Sequence, residues 1–158
     1  MTDEKLQQLL DEREIINVIN GIGIDADRGD WNGVSGAFAD VVLLDYSSMG
    51  APAENLPPAE IVVRWKAVLP GFKMTQHSIT NHRITVGGDE AGCFSYVTAK
   101  HFLPNDSGED VWTVIGYYEH HLKKIGDRWK VDRMKFTATI IEGNNDLPKL
   151  AMEAVKSG

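Results

Sequence analysis

The sequence predicts an α+β fold, a cone-shaped barrel in which N-terminal helices pack on a curved antiparallel sheet. Three observations carry that expectation. Apolar residues near the N-terminus recur at helical spacing, the second half of the chain changes to strand-like runs, and those runs are joined by the short turn signals "GGDE", "PNDSGED" and "IGDR". Short turns between sequential strands make an antiparallel meander, and helices that precede it must bury their apolar stripes against one of its faces. A strongly curved sheet closed by helices encloses a cavity suited to a small ligand.

From Leu6 to about Asp27, the residues Ile15, Val18, Ile19, Ile22 and Ala26 form one apolar stripe of an amphipathic helix. "DRGDW" interrupts it, and Asp30 is placed to cap a second short helix that carries Trp31, Val34 and Phe38. "VVLLDY", residues 41 to 46, reads as a buried strand. Residues 47 to 58, "SSMGAPAENLPP", have the length and composition of a lid or binding loop. A helix over 59 to 69 follows, then strands at 77 to 86, 91 to 103, 111 to 125 and 129 to 141. "LPKLAMEAVKSG" reads as a terminal helix.

The 158 residues fit a single domain spanning 1–158, with 42% apolar and 25% charged residues in the ordinary globular balance. A net charge of -7 and the lack of a basic stripe disfavour nucleic acid as a partner. The only cysteine, Cys93, sits in the apolar "AGCFSYV" and reads as a buried small hydrophobe in a reducing compartment. With no signal-peptide pattern at "MTDEKLQQLL" and no apolar run of spanning length, a cytoplasmic protein without membrane contact is expected.

The motifs remove several chemistries. HxH, HExxH and cysteine clusters are absent, and the adjacent His120 and His121 must point to opposite faces of a strand, so no metal site is expected. The glycines of "NGIGIDADRG" lie within a helix and follow no strand, which fails the dinucleotide context. No GxSxG elbow is present. What remains is acid-base chemistry by histidines, carboxylates and tyrosines, with no cofactor.

"MTQHSITNHRI", residues 74 to 84, holds His77 and His82 five apart. In an unbroken strand they would face opposite ways, and His82, which alternates with Ile84 and Val86, would be the inward one. Asp25 and Asp27 flank the apolar stripe of the first helix, each roughly 100° from its centre, so periodicity leaves open which could partner a histidine. One point favours Asp27: it continues the line Ile16, Asn20, Gly23, where a glycine leaves space.

"LLDEREIINVINGIGIDADRGDWNGVSGAFADVVLLDY", followed in order by "TQHSITNHRI", "GGDEAGCFSYVTAKHF", "GYYEHHL" and "GDRWKVDRMKF", resembles the SnoaL-like branch of the nuclear-transport-factor-2-like superfamily. That branch includes scytalone dehydratase and hexachlorocyclohexane dehydrochlorinase, together with polyketide cyclases. The resemblance implies a site inside the cone, with His77 as general base and Asp27 as its partner, leaving His82 on the other face. It further implies His101 and Tyr46 as catalytic groups that protonate or hold the departing group, and Arg133, Trp31 and Tyr118 as substrate-binding residues.

The activity this implies is a cofactor-independent, dehydratase-like lyase acting on a small, largely apolar, cyclic or aromatic substrate. Isomerisation or cyclisation by the same base, and a non-enzymatic ligand-binding or oligomerisation module, are the alternatives. A homo-oligomer is expected, because a sheet face rich in valine and tyrosine needs covering; the resemblance favours a trimer over a dimer.

Overall fold

The computed structural model describes residues 2–158. A long helix α1 (Asp3–Arg28) ends at Gly29, whose φ of 69° gives the left-handed cap that closes the helix. Asp30 accepts a hydrogen bond from the Gly33 amide and caps the short α2 (Trp31–Gly36), as the sequence predicts. Strand β1 (Phe38–Asp45) starts three residues earlier than expected. The 47–58 segment is not a free flap: a 3-10 turn at Ser47–Met49 leads into a short strand β2 (Glu54–Leu56) paired with β1. Ser48 pins it, since its hydroxyl donates to the Phe136 carbonyl at 3.0 Å and accepts from the Ala138 amide at 3.0 Å.

Helix α3 (Pro58–Lys66) and a 3-10 turn at Leu69–Gly71 precede four long strands, β3 (Met74–Gly87), β4 (Glu90–Phe102), β5 (Val111–Ile125) and β6 (Arg128–Gly143). The terminal helix α4 is Leu147–Ser157. The strands form one sheet in the order β2-β1-β6-β5-β4-β3. It differs from the wholly antiparallel expectation in one place: β1 lies parallel to β6, a pairing made possible by the long stretch of chain between the two strands. The sheet is curved and open, and α1 lies across its concave side.

Ile15, Ile19, Ile22 and Ala26 of α1 are buried there with Val97, Leu122, Trp129 and Val131 of the sheet. Each buried Ile, Val or Leu side chain among them contributes about 1.5–3 kcal/mol. Gly23 sets how closely α1 approaches β3: a Cβ at this position would lie 3.1 Å from His77 Cβ and 3.2 Å from Ile79 Cδ1. At the α1 start, Asp11 is buried and takes three donors: the Trp129 indole at 2.9 Å, the Lys124 ammonium at 2.8 Å and the Gln7 amide at 3.2 Å. At the other end α4 acts as a plug, burying Leu147 and Ala151 against Phe72, with Gly71 so close to the α4 backbone that no Cβ would fit.

One irregularity decides which side chains face inward. The β3–β4 register shifts between Thr80 and Arg83, where Asn81 adopts a φ of 58°. Asparagine tolerates that left-handed conformation better than other non-glycine residues, and the extra residue makes a β-bulge. Alternation is thereby reset: Thr75, His77 and Ile79 are the shielded positions before the bulge, and His82, Ile84 and Val86 after it. No described helix is long and apolar enough to cross a membrane.

Candidate active site

The concave side of the sheet, α1, α3 and the Met49 turn enclose a cavity of about 240 Å³. Its walls are mainly apolar, with Ile19, Ile22, Trp65, Val97, Met134 and Phe136 among them. Polar groups enter at a few points only: His77 from β3, His101 from β4, Tyr118 and His120 from β5, Tyr46 from the end of β1, and Arg64 of α3. Arg64 is occupied by Glu54 at 2.6 Å and Glu60 at 3.3 Å.

Asp27, one residue before the end of α1, reaches across to β3. Its Oδ1 is 2.6 Å from His77 Nδ1 and accepts the Thr75 hydroxyl at 2.8 Å, while Oδ2 accepts the His77 backbone amide at 2.7 Å. A carboxylate can only accept, so Nδ1 carries the proton and Nε2 of a neutral His77 is left with a free lone pair. Burial pushes the Asp27 carboxyl upward, but the hydrogen bonds and charge interaction with His77, helped by Thr75, outweigh it and hold the pKa below the usual carboxylate value. The carboxylate also stands at the negative end of the α1 dipole, which further favours a positive partner beside it. Asp25, the alternative left open by periodicity, lies instead against Gly33 of α2, outside the cavity.

His101 meets His77 edge-on, with ring centroids 5.7 Å apart. It is packed between Phe72 at 4.9 Å and Trp112 at 4.7 Å, and its Nδ1 is 3.2 Å from the Trp112 carbonyl, to which it must donate. Burial, reinforced by the nearby His77, pushes its pKa down to about 4. His101 is therefore neutral near pH 7, with Nε2 as an acceptor. Tyr46 and Tyr118 both line the cavity; burial raises the first phenol well above its usual value and the second to about 12, so both stay protonated.

Two expected binding residues lie elsewhere. Arg133 is exposed on the convex side, paired with Leu43 of β1 and His121 of β5, while the next residue, Met134, is the one that lines the cavity. Strand alternation gives the reason: the two cannot share a face. Trp31 packs half-buried against the core and does not line the cavity. His82 also departs from expectation, since the bulge turns it toward the same side as His77. His120, which the sequence marks only as facing opposite to His121, is a cavity residue that spacing alone did not single out. Its signal was in "YYEHHL": alternation from Tyr118 puts His120 on Tyr118's face. Among the described residues, no group of three or more His, Cys, Asp or Glu is disposed to hold a metal ion. Cys93 is buried, and burial pushes its thiol up to about 11, so it is not a thiolate at neutral pH.

The chain matches the family described as SnoaL-like domain over residues 7–135. No curated protein matches it. Among solved structures, the Kfla4162 protein of Kribbella flavida is 28% identical, with a TM-score of 0.83 over 91% of this chain and 98% of that one. A Novosphingobium aromaticivorans protein whose name suggests a scytalone dehydratase is 19% identical, with a TM-score of 0.72 over 87% of this chain and 90% of that one. Hexachlorocyclohexane dehydrochlorinase LinA-type3 of Novosphingobium barchaimii is 15% identical, with a TM-score of 0.71 over 89% and 94%. At such identities these last two share the fold.

Proposed function

The chain belongs to the SnoaL-like family, and from that premise we propose that it is a cofactor-independent lyase that eliminates water from a small, largely apolar substrate. The observation that carries this reading is the enclosed Asp27–His77 pair, with Nδ1 committed to the carboxylate and Nε2 free. Dehydratase and dehydrochlorinase names among the structural neighbours support the same reaction class.

In the proposed reaction His77 Nε2 removes a carbon-bound proton next to a carbonyl or ring system. The C–H electron pair becomes the new double bond, and the adjacent C–O bond breaks. The imidazolium, stabilised by Asp27, returns its proton to the departing oxygen, releasing water and regenerating the base. The Tyr118 phenol, with Tyr46 beside it in the cavity, donates a hydrogen bond to the oxygen on which negative charge develops. His101, neutral and with Nε2 as acceptor, receives a hydrogen bond from the hydroxyl that leaves.

A panel of β-hydroxy ketones and hydroxylated bicyclic ketones, followed by ultraviolet absorbance of the conjugated product, tests the proposal. Turnover by the wild type that vanishes in His77→Ala supports it. Undiminished turnover in that variant would remove His77 as the base.

A further inference from the structure

Among the described residues, five buried side-chain atoms have no hydrogen-bond partner: Asn20 Oδ1, His82 Nε2, Ser95 Oγ and both ring nitrogens of His120. A buried polar group without a partner is costly, so these should be rare and scattered. They are gathered instead. Thr80 pairs with Tyr96 and Arg83 with Phe94, so the bulge residues Asn81 and His82 stand across from Ser95. On the other side of β4, Ser95 pairs with Tyr118 and Cys93 with His120. His82, Ser95 and His120 thus occupy neighbouring positions on three adjacent strands, and Asn20 lies one turn before Gly23, the α1 residue that touches β3.

Of the four, His120 is the one that lines the cavity, and it is only 4% exposed. It lies toward the opposite end of β4 from the His77 position, since His77 pairs with Ala99 and His120 with Cys93. Its ring leans on Tyr118 at 5.1 Å, which fixes its orientation without using either nitrogen. Burial, then the neighbouring His82, push its pKa down to about 3. The ring is therefore neutral in any ordinary buffer, with one donor and one acceptor. That pair matches a hydroxyl or a keto oxygen. It does not match a carboxylate or phosphate, which would need a permanent cation, and among the described residues the one Lys or Arg that lines the cavity, Arg64, already holds two glutamates.

We propose that His120 forms a second, polar subsite of the cavity, which binds a hydroxyl or keto oxygen on a neutral substrate at the end away from the carbon facing His77. The orientation of the substrate rests on the reading of His77 as base; the subsite itself does not.

The test is binding of 2-naphthol and of naphthalene, followed by fluorescence and by the ring-nitrogen shifts of the histidines. Wild type should prefer the naphthol by about five- to tenfold, the worth of one net hydrogen bond, with the His120 nitrogens shifted. In His120→Leu the preference should fall to within about twofold while naphthalene is retained, and the unliganded melting temperature should equal or exceed that of wild type, because an unpartnered polar group has been removed. His120→Asn, which keeps a donor and an acceptor, should retain part of the preference. Equal or absent binding of the two probes by wild type, a preference that survives in His120→Leu, or a fall in that variant's melting temperature would overturn the subsite. His77→Ala separates the two proposals: it should lose turnover and keep the naphthol preference, and if it keeps both, the base is wrong and the subsite stands.

Discussion

Two histidine-aspartate pairs occur in this protein with the same 2.6 Å contact from Nδ1 to Oδ1, one inside the cone and one on the convex face of the sheet. The inner pair, Asp27–His77, has side chains only 14% and 15% exposed, and its carboxylate is fixed by a backbone amide and the Thr75 hydroxyl as well. The outer pair, Asp132–His121, leaves the imidazole 36% exposed and shares its carboxylate with the Lys123 ammonium at 3.2 Å. The contact is the same and the chemistry is not. Inside, the ring borders a mainly apolar cavity and its carboxylate partner is held by two further donors. Outside, Lys123 already neutralises the carboxylate and solvent screens the rest. A short His–Asp distance alone does not separate the two pairs; burial and the further donors on the carboxylate do, and on the proposed reading only the inner pair acts as a base.

The sharpest way to break that comparison is to make matching substitutions in both pairs. His77→Ala and Asp27→Asn should each lower kcat/KM by about 10²–10⁴, the usual range for a positioned general base and its orienting partner. His121→Ala and Asp132→Asn should stay within about twofold. Circular dichroism should show all four folded. Comparable losses at both pairs would mean that enclosure is not what matters.

Acid should expose the interior histidines next. His101 and His120 have folded pKa values near 4 and 3, below the ordinary value of 6.5, so the unfolded chain takes up protons first as pH falls. Their contribution is complete above about pH 6.5 and is lost progressively down to about 4 and 3, at a cost of roughly 3 kcal/mol for His101 alone. Asp27, whose pKa is lowered, adds a further loss below its unfolded value of 3.8. The melting temperature should therefore drop steeply between pH 6.5 and 4, and the His101→Phe variant should show a flatter limb over that range.

The sequence made the fold legible because long segments with one period leave little choice: the stripe of α1, the three hairpin turns and the cap at Asp30 all stand where patterning puts them. Reading His77 and His82 by unbroken alternation failed for a local reason. A single left-handed residue, Asn81, inserts a bulge, and the faces of everything beyond it are exchanged. An asparagine inside a strand-like run was the available signal. Arg133 and Trp31 were carried over by resemblance, which transfers a position along the chain and not the side of the strand or helix on which it stands. The unpartnered nitrogens of His120 could not be read from sequence at all, because whether a buried group has a partner depends on three strands at once.

Gly23→Ala tests how finely the inner pair is held. Alanine favours the helix by about 1 kcal/mol, yet its Cβ would lie 3.1 Å from His77 Cβ and must push α1 from β3 by a few tenths of an ångström. Melting temperature should change little while kcat/KM falls about tenfold, since small misplacements of a base are costly. An unchanged rate would show that the pair tolerates movement between the two elements.

Thr75→Val should have the smallest effect. It keeps the shape of the side chain and removes one of the three hydrogen bonds on the Asp27 carboxylate, leaving those from the His77 ring and backbone amide in place. Losing a hydrogen bond to a charged acceptor is worth about 1.5–3 kcal/mol when the acceptor is left bare, but here two donors remain and His77 itself can tighten. The loss in kcat/KM should therefore be about three- to tenfold. A loss as large as that of Asp27→Asn would assign Thr75 a direct part in the reaction. A rate equal to wild type would show that the backbone amide and the ring suffice to aim the carboxylate.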